Sequence, residues 1–227
     1  MEQFPKPTPK KENLKVSNQE KGIGEIFKMF PGMEDIGSKE EYQEYLNSFF
    51  PESVVKDIVW HAGGKDIQEF KTKEDEGYKK SDLWTENGIY FTGSLSHAKK
   101  YLSGLGYGNL IKPVINLIKY GSVYDKNKAL YGTLVNITNP IINNRKEERS
   151  KYLPKTLDKI RDVDLDLITQ DGKDGIIFNE LHKKDALFYA IVFDPKQVHI
   201  LGSEEDKNQF KEFIENKKGD PDPHASA

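Results

Sequence analysis

Two short apolar runs, each flanked by glycine, most constrain how this chain folds. They are Ile58-Val59-Trp60-His61-Ala62-Gly63-Gly64 and Asn87-Gly88-Ile89-Tyr90-Phe91-Thr92-Gly93. Apolar runs of four to eight residues are typical of strands, and glycine beside them permits close approach of another backbone or a ligand. The runs therefore predict buried strands over 58–61 and 88–91, with His61 at the end of the first. Because strand side chains alternate, Tyr90 is expected on the opposite side from Ile89 and Phe91.

The composition is that of a polar protein with nearly balanced charge. Charged residues make up 31% and hydrophobic residues 36% of the 227 positions, and the formal net charge is −3. This balance provides no overall positive field to attract nucleic acid. The sequence has no cysteine, which excludes disulfides, thiolate zinc sites and a cysteine nucleophile. No apolar run approaches the roughly 20 residues that span a bilayer, so we expect a cytoplasmic protein without a membrane partner.

Local composition predicts a single domain with polar ends. Residues 1–20 are rich in Pro, Lys and Glu and predict a disordered lead, and 217–227 predict a disordered tail. Between them lies one domain, 21–216, with these predicted parts: helices within 22–50, a core at 55–205, and a helical insertion at about 143–166.

Helix and strand patterns alternate through this domain. Ser38 followed by Glu41 predicts a capping box at the start of a helix that Pro51 stops. Later helices are expected at 94–102 and 203–213. Further strands are expected at 113–120, 131–140, 174–178, 187–193 and 198–201. Helices first and then several short strands indicate an α+β fold with mixed or antiparallel sheets around a cleft.

Three blocks of the chain resemble, in order, motifs of the ADP-ribosyltransferases of the diphtheria-toxin and poly(ADP-ribose)-polymerase branch. The blocks are 60–63, then 88–91 with Ser96 and Tyr101 after it, then 189–198. The resemblance covers roughly 55–205 and is nearest to ADP-ribosyltransferase-like domains of phage and mobile-element polyvalent proteins. It implies a fold in which a split pair of mixed or antiparallel sheets surrounds an NAD cleft.

The resemblance also implies roles for individual residues. His61 would hydrogen-bond a ribose hydroxyl of NAD, because a neutral imidazole offers one donor and one acceptor. The backbone at Ala62, with Gly63 beside it, would bind the nicotinamide carboxamide. Tyr90 and Tyr101 would stack on the two faces of the nicotinamide ring.

Two further residues belong to the implied cofactor site, and NAD is its implied substrate. Phe91 follows Tyr90 in the second motif, and Ser96 is a candidate for the amide contact. The implied reaction is transfer of one ADP-ribose unit to a protein or nucleic-acid acceptor, in the bacterial cytoplasm or in that of a host. No metal is implied, because the histidines lack metal-ligand spacing.

The third block departs from the family pattern. The family's glutamate position is occupied by Tyr189, which is no carboxylate at neutral pH. Glu180 and Asp185, expected in the preceding loop, are alternative carboxylates. The substitution leaves a second hypothesis open, a catalytically degenerate module that binds NAD, ADP-ribose or a partner protein without turnover. The loops 62–87 and 178–188 are expected to select the acceptor.

Overall fold

The computed structural model describes residues 19–71, 88–102, 127–144, 170–180 and 187–219. Its helices are α1 Gln19–Met29, α2 Lys39–Ser48, α3 Leu95–Leu102 and α4 Glu204–Gly219. Its strands are β1 Val59–Gly64, β2 Ile89–Thr92, β3 Lys128–Val135, β4 Pro140–Asn144, β5 Gly175–Glu180, β6 Leu187–Val192 and β7 Val198–Ile200.

The described strands form one seven-stranded sheet in the order β4-β5-β6-β2-β1-β3-β7. Neighbouring strands are antiparallel except β4 and β5, which are parallel. The α+β prediction with a mixed sheet is therefore confirmed. In this part of the chain the strands belong to one sheet instead of the expected pair. Its weakest join lies between β1 and β2, where a single pair, Trp60 opposite Thr92, is in register.

Helices α1, α2 and α4 pack together over one face of the sheet. Ile26 of α1, Tyr42 of α2 and Phe210 of α4 are fully buried there, and Trp60 of β1 lies in the same cluster. The rings of Tyr42 and Phe210 are 4.9 Å apart, edge to face, a favourable aromatic geometry. Through Trp60, one face of β1 therefore packs against the three helices.

The start of α2 follows the predicted capping box. The Ser38 side chain accepts a hydrogen bond from the Glu41 amide, and the Glu41 carboxylate accepts one from the Ser38 amide. These two bonds satisfy helix N–H groups that would otherwise have no partner within the helix. The helix ends at Ser48, before Pro51, as predicted.

A buried carboxylate on α4 ties this helix to α2 and β7. Asp206 is fully buried and accepts hydrogen bonds from Tyr42 Oη (2.6 Å), Tyr45 Oη (3.2 Å), His199 Nε2 (2.7 Å) and the Gly202 amide (2.7 Å). Burying a charge is tolerated when it is fully hydrogen-bonded. Burial and the adjacent carboxylate raise the pKa of both tyrosines, so the phenols remain donors at neutral pH.

The two faces of β2 contribute to different clusters, as strand alternation predicts. Ile89 and Phe91 belong to a cluster with Val59 and Val192 on one face. Tyr90 packs against a separate cluster on the other face. That second set comprises Ile141, Ile176, Phe178 and Ile191. The prediction that Tyr90 faces away from Ile89 and Phe91 is confirmed.

Two predicted strand boundaries are wrong. β1 continues past His61 to Gly64, because Ala62, Gly63 and Gly64 pair with β3, so His61 lies within the strand. The strand predicted over 131–140 is two strands, β3 and β4. Between them the Asp174 carboxylate accepts from the amides of Thr138 and Asn139 at 2.6 and 2.9 Å, which holds that segment in a turn.

The remaining predicted elements differ mainly at their ends. The predicted lead and tail are wrong at their inner edges, because α1 begins at Gln19 and α4 continues to Gly219. Lys217, within the predicted tail, contacts Glu44 of α2, which favours the longer helix. The predicted strand 113–120 and most of the predicted insertion lie outside the described residues. None of the described helices is both long enough and apolar enough to cross a membrane.

Candidate functional site

Every second residue of β2 directs its backbone N–H and C=O groups toward β1. In an antiparallel ladder a residue directs its N–H and C=O to the same side, and its neighbours direct theirs to the other side. The Gly93 amide, directly after β2, donates to the carbonyl of Phe188 in β6 at 3.0 Å. Counting back along β2, Thr92 and Tyr90 therefore direct their backbone groups toward β1.

The backbone of β1 has matching alternation. The Lys65 amide donates to the Asn127 carbonyl of the β3 side at 3.0 Å, in the register that β1 and β3 share. Trp60 and Ala62 must then direct their backbone groups away from β3, toward β2. Trp60 pairs with Thr92, but the next pair in that register, Ala62 with Tyr90, does not form. The recorded ladder between β1 and β2 ends there, and we call this interruption of the pairing the gap.

At the gap, the His61 ring bonds to the Tyr90 carbonyl, which would face Ala62 if the ladder continued. Its Nδ1 lies 2.8 Å from the Tyr90 carbonyl oxygen. A carbonyl only accepts, so Nδ1 is the donor and, in the neutral ring, Nε2 is an acceptor. Burial lowers the pKa of His61, against the opposite effect of the bond to Tyr90, which favours the neutral ring at pH 7. The ring contacts Phe70 and Phe91, with centroids 4.9 and 5.7 Å away.

The position of the His61 ring depends on the absence of a side chain at Gly63. A Cβ at Gly63 would lie 2.8 Å from His61 Nε2 and 2.9 Å from Ile67 Cδ1, closer than such atoms normally approach. At the adjacent Gly64, a Cβ would meet nothing within 4 Å. The missing side chain at Gly63 therefore leaves room for the ring of His61, whereas a side chain at Gly64 would meet no neighbouring atom within 4 Å.

Tyr90 contributes its carbonyl to His61 and its ring to the opposite face of the sheet. The ring packs against the cluster beneath β4, β5 and β6, whereas His61 contacts Phe91 on the other face. The structure thus brings the two residues together through the backbone, with their side chains on different faces. Burial raises the pKa of Tyr90 to about 12, so the phenol stays neutral under ordinary conditions.

Helix α3 follows β2 directly and carries the other sequence-predicted residues. Ser96 is exposed, and its Oγ lies 3.0 Å from Ser94 Oγ at the start of the helix. Tyr101 lies in the last turn of the helix, with its ring centroid 5.2 Å from that of His97. The helix places His97, which the sequence did not identify as functional, between Tyr101 and the sheet.

Tyr189, which the sequence resemblance places opposite a glutamate, hydrogen-bonds His97 with its side chain. Its Oη lies 3.1 Å from His97 Nε2, and the two rings meet edge to face at 5.5 Å. The i, i+4 spacing of His97 and Tyr101 places them on one helix face and is the sequence signal that would have identified His97. Its distant partner on β6 had no such signal.

Of the two carboxylates proposed as substitutes for the glutamate, Glu180 is placed differently from the prediction. Glu180 is the last residue of β5 and pairs with Leu187, so its backbone belongs to a strand and not to the expected loop. The strand extends because β6 provides a partner as far as Leu187. Asp185 lies outside the described residues.

Within the described part of the chain, no group of three or more His, Asp or Glu side chains is arranged to hold a metal ion. Comparison with models of known protein families found no match. Comparison with curated proteins likewise found no significant match. Inference about function therefore depends on the residues around the gap.

Proposed function

We propose that this protein binds NAD at the gap between β1 and β2 and transfers one ADP-ribose unit from it to a protein or nucleic-acid acceptor. The observation that supports this most directly is the unformed pair of Ala62 with Tyr90, one residue beyond Trp60 and Thr92. With the Tyr90 carbonyl bonded to His61, the N–H and C=O of Ala62 still point toward β2, and this is where we place the ligand.

Ala62 has the hydrogen-bonding groups that a nicotinamide carboxamide requires. That carboxamide has one carbonyl acceptor and one NH2 donor, which complement a strand residue whose N–H and C=O point the same way. Ala62 directs both groups toward the β2 side, and its own methyl group does not alter them. The ligand would thus take the place of the next residue pair in the ladder.

His61 is suited to hold a ribose hydroxyl beside this position. With Nδ1 donating to the Tyr90 carbonyl at 2.8 Å, Nε2 of the neutral ring can accept a hydrogen bond from the ribose hydroxyl. The lowered pKa of His61 favours the neutral ring, and donation from Nδ1 to the Tyr90 carbonyl selects the tautomer that this contact needs. Tyr90 and Tyr101 remain the proposed stacking partners of the nicotinamide ring. Because the Tyr90 ring and the His61 ring lie on different faces of the sheet, the nicotinamide and its ribose would have to lie on opposite sides of the gap. Phe91 contacts the imidazole.

The proposed reaction is substitution at the ribose carbon that bears nicotinamide. The carbon–nitrogen bond breaks, its electron pair leaves with nicotinamide, and the ribose develops oxocarbenium character as in glycoside hydrolysis. The acceptor's oxygen or nitrogen then forms the new bond to that carbon and gives up a proton. We assign the binding and orienting parts of this scheme to Ala62, His61 and Tyr90.

The test is release of nicotinamide from NAD by the purified protein, beside calorimetric measurement of NAD binding. We expect His61→Ala and Tyr90→Ala to abolish release and to weaken binding at least tenfold. Gly64→Ala, on the same strand with open space around it, is the matched control and should retain both. Release that survives His61→Ala would contradict the proposal.

A second candidate function, binding of NAD or ADP-ribose without turnover, is favoured by Tyr189. This residue replaces the carboxylate of the family pattern, and its hydroxyl is hydrogen-bonded to His97 at 3.1 Å. Calorimetric binding that His61→Ala abolishes, with no nicotinamide release from the wild-type protein, would select this candidate. If the protein neither binds NAD nor releases nicotinamide, both candidate functions are contradicted.

A further inference from the structure

Tyr189 lies close to the proposed NAD site in the sheet. It is opposite Thr92 on β2, and Thr92 forms the last pair with Trp60 before the gap opens. Directly opposed residues share a face, so Tyr189 is on the same face as Thr92 and Tyr90. Both Tyr90 and Tyr189 pack against the cluster beneath β4, β5 and β6.

His97 is held over Tyr189 by a well-anchored helix. The next residue, Ala98, is buried in the cluster beneath α1, α2 and α4. The His97 amide donates to Ser94 Oγ at 3.3 Å, which fixes the first turn of α3. The Tyr101 ring lies against the imidazole at 5.2 Å. The contact between His97 Nε2 and Tyr189 Oη is therefore supported by packing around the imidazole.

The three elements that carry Thr92, His97 and Tyr189 contain no acidic residue; on this side of the gap, Glu180 lies at the end of the neighbouring β5. β2 is Ile-Tyr-Phe-Thr, α3 is Leu-Ser-His-Ala-Lys-Lys-Tyr-Leu, and β6 is Leu-Phe-Tyr-Ala-Ile-Val. His97 is the one imidazole among them. A transfer that releases a proton from the acceptor needs a group to receive it, and on these elements histidine is the side chain best suited to do so near neutral pH.

We propose that Tyr189 and His97 act together as a proton relay in the transfer reaction, an inference that rests on the proposed function. As the acceptor's nucleophile forms its bond to the ribose carbon and nicotinamide leaves with its electron pair, the acceptor's proton passes to Tyr189 Oη. The phenolic proton passes at the same time to His97 Nε2, which must begin unprotonated. Tyr189 ends neutral, and His97 ends as imidazolium.

Hydrolysis of NAD tests the relay without knowledge of the natural acceptor, because water then supplies the proton. We expect Tyr189→Phe and His97→Gln each to lower kcat for nicotinamide release at least tenfold, with KM and the NAD dissociation constant within about twofold of wild type. The double variant should be no slower than the slower single variant, since the two residues act as one unit. Lys100→Gln, exposed on the same helix, is the control.

Two further variants separate proton transfer from positioning. Glutamine at position 97 can still hydrogen-bond Tyr189 but does not take up a proton. An unchanged kcat in His97→Gln would therefore show that His97 only positions Tyr189, and would overturn the relay. Adding Tyr189→Glu to His97→Gln should raise kcat at least tenfold over His97→Gln alone, because a carboxylate receives the proton directly. Glu180→Gln tests the competing carboxylate, and loss of kcat there with His97→Gln unaffected also overturns the relay.

The outcomes for the relay and for the proposed function are distinct. If wild-type protein binds NAD by calorimetry but releases no nicotinamide, the relay is overturned and NAD binding stands. If NAD does not bind at all, the proposed function is overturned and the relay with it. If binding and release occur with the variant pattern described, both are supported.

Discussion

Gly63 and Gly64 are adjacent on β1, yet a methyl group would meet different surroundings at each. At Gly63 it would lie 2.8 Å from His61 Nε2, whereas at Gly64 it would meet nothing within 4 Å. We expect Gly63→Ala to displace the imidazole, lower the free energy of unfolding by about 1–3 kcal/mol, and weaken NAD binding at least tenfold. Gly64→Ala should change neither. Chemical denaturation and calorimetry measure the two effects, and equal behaviour of the variants would contradict the role given to Gly63.

His61 gives the protein a predictable dependence of stability on pH. Its pKa is lowered in the folded state, so below the unfolded value of about 6.5 the unfolded chain binds more protons. The free energy of unfolding then falls as the pH decreases from that value toward the folded pKa, by at most about 1.4 kcal/mol per unit. Urea denaturation from pH 7.5 to 5.0 should show a steeper decline for wild type than for His61→Gln. Parallel curves would rule out His61 as the cause.

The residues that the sequence identified are those with a local pattern. His61 and Tyr90 lie in short apolar runs beside glycine, and Ser38 with Glu41 forms a motif of fixed spacing. The contact of His97 with Tyr189 and the contacts of Asp206 had no such signal, because each depends on a partner far away in the chain. Tyr189 is 92 residues from His97, and Tyr42 is 164 residues from Asp206. Such pairings depend on the topology of the sheet, which no local pattern specifies.

At the scale of elements, the docking of α4 depends on Asp206. Replacing it with asparagine removes the charge and leaves Tyr42, His199 or the Gly202 amide without a full partner in a buried site. We expect Asp206→Asn to lower the free energy of unfolding by about 3–5 kcal/mol. Glu205→Gln, exposed at the adjacent position, should change it by less than about 0.5 kcal/mol. A small effect of Asp206→Asn in urea denaturation would show that α4 is held by its apolar face alone.

The approximate positions of several strands were predictable from the sequence, whereas the residues at which strands end depend on pairing with other strands. Apolar runs located β2, β5, β6 and β7, since alternation and length are properties of the segment itself. The extension of β1 through Gly64 depends on β3, which offers backbone partners to residues with little strand propensity of their own. The turn between β3 and β4 depends on Asp174, 35 residues from Asn139. The interruption between β1 and β2 is likewise a property of the assembled sheet.

The same interruption predicts a local difference in hydrogen exchange. Trp60 and Thr92 form a ladder pair, whereas Ala62 lies one step into the gap. We expect the Ala62 amide to exchange faster than that of Trp60 in the free protein and to slow on addition of NAD, with nicotinamide alone giving part of the effect. Exchange measured by NMR resolves the two amides. Protection of Ala62 that is already equal to that of Trp60 without ligand would mean that the gap is closed.

At the scale of the whole molecule, the sheet formed by the described residues has two halves, joined by one ladder pair and by the His61–Tyr90 hydrogen bond beside it. β1, β3 and β7 lie on one side of the join, with β1 packed against the helices through Trp60. β2, β6, β5 and β4 lie on the other side. A ligand bound between Ala62 and Tyr90 would contact both halves and add to their single shared pair. Binding at such a join is expected to stabilise the fold as a unit and not only the strands that touch the ligand.

This arrangement leads to a prediction for thermal unfolding. A ligand that binds only the folded state stabilises it by about 2.7 kcal/mol at one hundred times its dissociation constant. We expect NAD at that ratio to raise Tm by several degrees, and His61→Ala to abolish the rise at the same NAD concentration because its binding is weakened. ADP-ribose, which lacks the carboxamide that Ala62 is proposed to hold, should raise Tm less than NAD at equal concentration. An equal rise with ADP-ribose would place the main contacts away from Ala62, on the ribose and phosphate side of the ligand.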